Sequence, residues 1–233
     1  MSDAILNETN RGAYMPNYCN NVVEIRGPVA QVKALVDHKL DFMKIHPYPK
    51  ALDITAGREG PDDSPEQKAL VAAEESNLAK YGHKNWYDWC VNNWGTKWNA
   101  GGDNPDMMVD YDYDEDGDTV IALFQFDTAW APPLGVMQKL MDTHPELSIE
   151  CRYHEPGVGF FGVWTDGSDR CYETEQFPKS TDPFWTQHQD GRLLDETFGM
   201  VESMQEYEAN QETEAEKMVR ELIVDRKAQN IIG

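Results

Sequence analysis

The chain has 233 residues and a mass of 26.6 kDa, enough to bury one sizeable core together with an insertion or a tail. Its 20 basic and 42 acidic residues leave a formal net charge of −22, which repels phosphate backbones and anionic membranes and so argues against direct nucleic-acid or membrane binding. No apolar run approaches the roughly 20 residues that span a bilayer, no charged start leads into an apolar signal segment, and the four cysteines at 19, 90, 151 and 171 lack any Cys-x-x-Cys spacing. The expectation is a cytoplasmic protein of a bacterial, reducing compartment, with free thiols, no disulfide framework and no cofactor.

Taken in order, residues 1–14 are polar and aperiodic and read as a disordered leader. A short β-rich run at 21–26 is broken by Gly27-Pro28. Val29, Val32, Leu35, Val36 and Leu40 then recur at three- and four-residue steps, predicting a helix over 29–41 with Pro28 near its first turn. From about 42 to 104 the text departs from this pattern and reads as a helical insertion. Pro47, Pro49, Gly57, Gly60 and Pro61 mark loops. Ser64-Pro65-Glu66-Gln67 opens a helix that runs to about Lys80 and is stopped by Gly82. The insertion ends on residues 86–98, which hold four of the chain's seven tryptophans. Each indole brings on the order of 200 Å² that must leave water, and its N–H then needs an acceptor, so this stretch must plug into the core. Trp86, Trp89 and Cys90 lie on one stripe of a short helix that Gly95 is placed to end.

Residues 107–113 and 119–126 alternate as strands, and Asp116-Gly117 between them predicts a hairpin turn. The rival reading is a calcium loop, because Asp112, Asp114, Asp116 and Gly117 match the opening of an EF-hand. The match fails at its twelfth position, where Leu123 stands in place of a bidentate Glu, and strands rather than helices flank the loop. An acidic hairpin is the preferred reading, with a weak cation site at Asp112, Asp114 and Asp116 as the alternative. A turn at 127–133 leads into a helix over 133–143 and a strand over 147–153. Runs at 158–164 and 170–177 read as added edge strands. Leu193, Leu194, Phe198, Val201 and Met204 predict helix again. Met218, Val219, Leu222 and Ile223 give a last apolar stripe, suited to docking on the domain or to self-association.

Assembled, the order is β-α-insertion-β-β-α-β. This predicts an α+β fold, a ferredoxin-like split β-α-β sandwich over 15–185 with a helical insertion, extra edge strands and an acidic, mainly helical C-terminal region over 186–233. Helices should cover one sheet face, with the insertion covering or rimming the other. Four blocks also carry a family likeness: Met-Pro-Asn-Tyr-Cys-Asn-Asn at 15–21, Trp-Cys-Val-Asn-Asn-Trp-Gly-Thr-Lys-Trp at 89–98, Phe126 to Pro133 and Tyr153 to Gly162. Over about residues 15–177 the chain resembles the YubB-like family of phage- and plasmid-borne proteins with a ferredoxin-like domain. The resemblance implies the fold and a mobile-element origin. That family has no settled activity, so the likeness supplies no catalytic residues, and the leader and the acidic C-terminal region depart from it.

Two classes of function follow. The charge is concentrated in two base-free stretches: residues 99–138 hold nine carboxylates and residues 195–216 hold eight. Their surface, including Asp110, Asp112, Asp114, Glu115, Asp116, Asp118, Glu202, Glu206, Glu208 and Glu212, suits a basic, often nucleic-acid-binding site on a host protein such as a defence nuclease, with DNA mimicry as the strong form. The plainer explanation is solubility. The second class is a small-molecule binder or enzyme. Lys97, Trp98, Asp127, Trp130, His154 and Glu155 all fall at ends of predicted elements, where a cleft gathers a cation, two aromatics and two carboxylates. Its plain counterpart is a Lys97–Glu155 salt bridge with core tryptophans. No HExxH spacing exists, and neither a Ser-His-Asp nor a Cys-His set can be assembled. An RNA-binding sheet fits the fold but not the charge.

Overall fold

Alternation of buried and exposed positions along Tyr18–Pro28 makes a strand, β1, whose Cys19, Val23 and Ile25 side chains are fully buried on one face. The structure is a computed structural model that describes residues 17–99, 108–113, 117–211 and 213. The leader, Asp114, Glu115, Asp116, Glu212 and the last apolar stripe lie outside those residues. β1 is central. It pairs antiparallel with Thr119–Ala129 (β3) on one side and with Ser148–Glu155 (β4) on the other. Pairing on both flanks explains why β1 begins three residues earlier than its apolar run predicts, taking in the polar Tyr18 to Asn20.

Met108–Tyr113 (β2) adds to β3, while Phe160–Thr165 (β5) and Ser168–Glu173 (β6) continue beyond β4. The six-stranded antiparallel sheet therefore runs β2-β3-β1-β4-β5-β6. Its first four strands, joined by one helix after β1 and another after β3, have the ferredoxin-like arrangement, extended at one edge by a hairpin. That hairpin turns at Asp166-Gly167, both at positive φ (45° and 92°), the two-residue turn whose twist matches the strands. The last strand accordingly starts at Ser168 and ends at Glu173, where residues Thr174–Gln176 form a 3-10 turn. The expected run at 170–177 thus starts two residues late and ends four residues late.

The helical layer begins with Val29–Asp37 (α1). It stops short of the predicted 41 because Lys39 and Leu40 take φ of 50° and 51°, which brings Leu40 into the core. Phe42–Ile45 (α2), capped by Asp41, then Pro65–Tyr81 (α3), Trp86–Asn93 (α4) and Leu134–Thr143 (α5) follow. Ser64 caps α3 and Gly82 ends it in the left-handed conformation, as the pattern predicts. One cluster joins Val32, Leu35, Phe42, Trp89, Trp94, Val136, Met137 and Leu140 to Val23, Ile25, Phe124 and Ile149 of the sheet. The insertion thus widens the helical layer on the same sheet face as α1 and α5. It does not cover the opposite face, because Trp89 and Trp94 find their largest apolar partner beside α5; only Trp98, at its end, reaches the margin of that face.

The opposite face is covered from the C-terminal side. Phe161 and Val163 of β5 pack with Phe184, Trp185, Leu194 and Met200, carried by Pro183–Gln187 (α6), Gln189–Phe198 (α7) and a further helix over 200–211 (α8). These helices lie over β4 to β6. Across β3 the same face keeps Ile121, Leu123 and Gln125 half-exposed, and Met108 on β2 is 63% exposed. Among the described residues, one half of this sheet face is therefore open.

Candidate functional site

Two glycines bring the tryptophan helix onto the sheet. Gly95, at φ 88°, ends α4, and Gly135, in the first turn of α5, lies so close to it that an added Cβ would sit 2.0 Å from the Asn93 carbonyl. The Gly135 N–H donates to the Trp94 carbonyl at 3.2 Å. Trp94, 1% exposed, meets Phe42 and Trp89 edge-on and donates its indole N–H to the His46 carbonyl at 2.8 Å. The residues after Gly95 are thereby laid against the end of β3. Buried Thr96 donates its hydroxyl to the Ala129 carbonyl at 2.9 Å. Buried Asn21 donates to the Thr128 hydroxyl at 2.8 Å, and that hydroxyl donates to the Ala131 carbonyl at 2.7 Å.

This network holds Trp130 at φ 67°, a left-handed backbone rare for a bulky residue, with its N–H donating to the Asn17 carbonyl at 2.9 Å. Lys97 extends beneath it. Its Nζ lies 5.2 Å from the Trp130 ring centroid, 4.9 Å from Trp98 and 5.9 Å from Tyr87. Among the described residues Lys97 makes no ion pair, with Glu155 or with any other carboxylate. Trp86, Tyr87, Lys97, Trp130 and Asn85 line a cleft of about 480 Å³ closed at its rim by Ala56 and Gly57.

Asp127 and Trp98 belong to a second concavity, on the open sheet face. A groove of about 620 Å³ runs over Tyr18, Asn20 and Val22, walled by Trp98 and Met108 on one side and by Phe198 on the other. Asp127 is exposed there and accepts a 2.7 Å hydrogen bond from Asn20 Nδ2. His154 pairs with Asn20 from the other flank, and its ring lies 5.8 Å from Phe198. Burial lowers the pKa of His154, with the Glu155 charge opposing, so the ring sits neutral under α7. Glu155 itself is 0% exposed and accepts from the N–H groups of Gly157 and Val158, bracing the β4–β5 turn. The six candidates are thus divided: Lys97 and Trp130 in the aromatic cleft, Trp98 touching Lys97 while lining the groove, Asp127 on the open face, His154 on the covered part of that face under α7, Glu155 beneath the turn.

Of the acidic residues, Asp110 and Asp112 project from β2 on the open face, in register with Leu123 and Ile121. Asp118 is exposed beside the β2–β3 turn, and Glu202 and Glu206 are exposed on α8. Glu208 turns inward. It accepts from Ser180 N–H at 2.9 Å and Ser180 Oγ at 2.8 Å, which ties α8 to the domain and lowers its own pKa. Glu24, on the open face, pairs with Arg152, as does Glu150. Burial pushes the thiols of Cys19 and Cys90 up to about 12 and that of Cys151 well above its ordinary value, so these three are inert at neutral pH. Among the described residues no cluster of His, Cys, Asp or Glu is arranged to hold a metal ion.

Sequence reading missed Trp86 and Tyr87 as cleft walls, and Asn21, Thr96 and Thr128 as the network behind them. Apolar spacing puts Trp86 on the core stripe with Trp89 and Cys90, and gives Tyr87, off that stripe, no role. The three polar residues carry no signal until β1, β3 and the segment after α4 converge.

Residues 94–175 match the family model described as the ferredoxin-like domain in Api92-like protein, a span that takes in β2 to β6 and α5. A similar solved structure is the protein Api92 from Yersinia pseudotuberculosis, with 12% sequence identity over 68% of this chain and 98% of that one, at a TM-score of 0.38. No curated protein matches the chain. No helix among the described residues is long and apolar enough to cross a membrane.

Proposed function

We propose that this is a non-enzymatic, cytoplasmic accessory protein of a phage or plasmid, akin to the YubB-like family, that binds a basic surface on a host protein and competes there with nucleic acid. The observation that carries this reading is the half-open sheet face. The sheet face opposite the main helical layer presents Asp110, Asp112 and Asp127 around half-buried Ile121 and Leu123 and exposed Met108. Residues two apart on a strand point the same way about 6.8 Å apart, so Asp110 and Asp112 form a regular anionic row beside an apolar floor. Such a surface suits lysines and arginines with their aliphatic stems laid along the floor. The chain's net charge of −22 would steer a basic partner toward it.

The test is capture from a bacterial host lysate at low and high salt, followed by competition. A protein retained at low salt should be released by salt and by heparin. The triple variant Asp110→Lys, Asp112→Lys, Asp127→Lys should lose it while keeping the wild-type circular dichroism spectrum and a cooperative unfolding transition. Retention that ignores both salt and the triple variant would remove the proposal.

A further inference from the structure

We infer that the cleft between α4 and the turn at Trp130 that follows β3 binds a small planar aromatic anion, a flat ring bearing a carboxylate or phosphate. Four observations converge on it. First, in a chain with 22 excess negative charges, the cleft's lining holds no carboxylate, and its one charged group is Lys97. Second, Lys97 is positioned by the rings of Tyr87, Trp98 and Trp130 and makes no ion pair among the described residues, so its ammonium group has no anion of its own. Third, the aromatic walls are half-exposed and apart. Trp86 and Tyr87 meet edge-on at 6.0 Å, but among the described residues the Trp130 ring touches no other ring, and neither Trp86 nor Trp130 has an acceptor for its indole N–H. Fourth, the backbone at Trp130 is strained, at φ 67°.

That strain identifies the cleft as more than leftover space. The left-handed region is disfavoured for a bulky residue, and glycine would make the same turn freely. The cost is absorbed by the Asn21, Thr128 and Thr96 network, which fixes the turn from three sides. What the tryptophan adds is a ring over Lys97 and one wall of a cavity of about 480 Å³, within the ordinary range for small-molecule sites. A flat ring entering it stacks against the indoles, while its anionic substituent meets the Lys97 ammonium and the free indole N–H groups. Neither half of this recognition involves the acidic open face, so the two proposals stand or fall separately.

Calorimetric titration of the full chain tests it with four probes: AMP and 4-hydroxybenzoate, which carry ring and anion together, adenosine, which has the ring alone, and inorganic phosphate. At least one of the first pair should bind saturably, at least tenfold tighter than adenosine or phosphate, and which of the two binds tells nucleotide from aromatic acid. Lys97→Met should weaken that binding tenfold or more with the melting temperature unchanged. Trp130→Gly should abolish it while leaving the melting temperature equal or higher, because the strain is relieved. No saturable binding by either AMP or 4-hydroxybenzoate, equal binding of adenosine or phosphate, or an undiminished affinity in Lys97→Met would overturn the proposal.

Discussion

Asp190 shows how a single carboxylate is used when the chain has so many to spare. It is buried at the start of α7 and accepts from Arg170 Nε at 2.7 Å, Arg170 Nη2 at 3.2 Å and the Tyr172 hydroxyl at 2.7 Å, fastening the C-terminal helices to the edge strand β6. Burial alone would raise its pKa, but the hydrogen bonds from Arg170 and Tyr172 outweigh that and hold it below the ordinary value. The same contact, after burial, pushes the Tyr172 hydroxyl up to about 12. A carboxyl whose folded pKa is depressed stabilises the fold above the unfolded value of about 3.9, and the contribution is lost as pH falls through the folded value. Asp190→Asn should therefore cost about 2–4 kcal/mol at neutral pH by urea unfolding. The gap between the two proteins should close on acidification below about pH 4; a gap that stays constant with pH would mean that shape, and not charge, does the fastening.

Among the elements, the seam between α4 and α5 matters most, because both concavities depend on it. It positions Thr96, Lys97 and Trp98, and it exists only because two backbones approach where Gly135 has no side chain. Gly135→Ala would drive a methyl group into the Asn93 carbonyl, and overpacking of this kind costs about 1–3 kcal/mol. The expected result is a melting temperature lower by roughly 3–10 °C, with a red shift of tryptophan emission as Trp94 loses its packing. An unchanged melting temperature would show that α4 can slide outward at no cost. The tryptophan helix and its end were legible in the sequence, since Trp86, Trp89 and Cys90 follow a helical period and Gly95 stands where it stops, whereas its cap, Asn85, emerged only from the structure. The seam was not legible, because a close approach between residues 93 and 135 leaves no local pattern beyond the presence of a glycine.

At the scale of the whole molecule, the sheet carries two unequal covers: a broad helical layer on one face, and a C-terminal layer over β4 to β6 on the other. The second cover buries Phe161 and Val163, which would otherwise form an exposed apolar strand next to the edge. Ending the chain at Asp182 removes α6, α7 and α8, and should produce binding of a hydrophobic dye, self-association in size exclusion and a lower urea midpoint. A truncated chain that stays monomeric and dye-free would mean that this layer is an accessory with no part in the fold. The partial cover also creates the open half of the face, and Phe198 at its margin forms one wall of the groove.

Local patterning in the residues was enough to specify the elements and their order, and hence the ferredoxin-like topology, because a strand's alternation and a helix's stripe are properties of neighbours in the chain. The charge imbalance was likewise plain from composition. The side of the sheet taken by the insertion was not, since an apolar stripe requires burial without naming the surface that provides it, and α5 proved the larger partner. Nor was the division of Lys97, Trp130, Asp127 and Glu155 among separate places. Their neighbours along the chain say only that they end elements. Which face each one reaches is set by strand register, and by a turn at Trp130 held in a conformation that its own residue disfavours and that Thr128 imposes together with two buried polar side chains from elsewhere in the chain, Asn21 and Thr96.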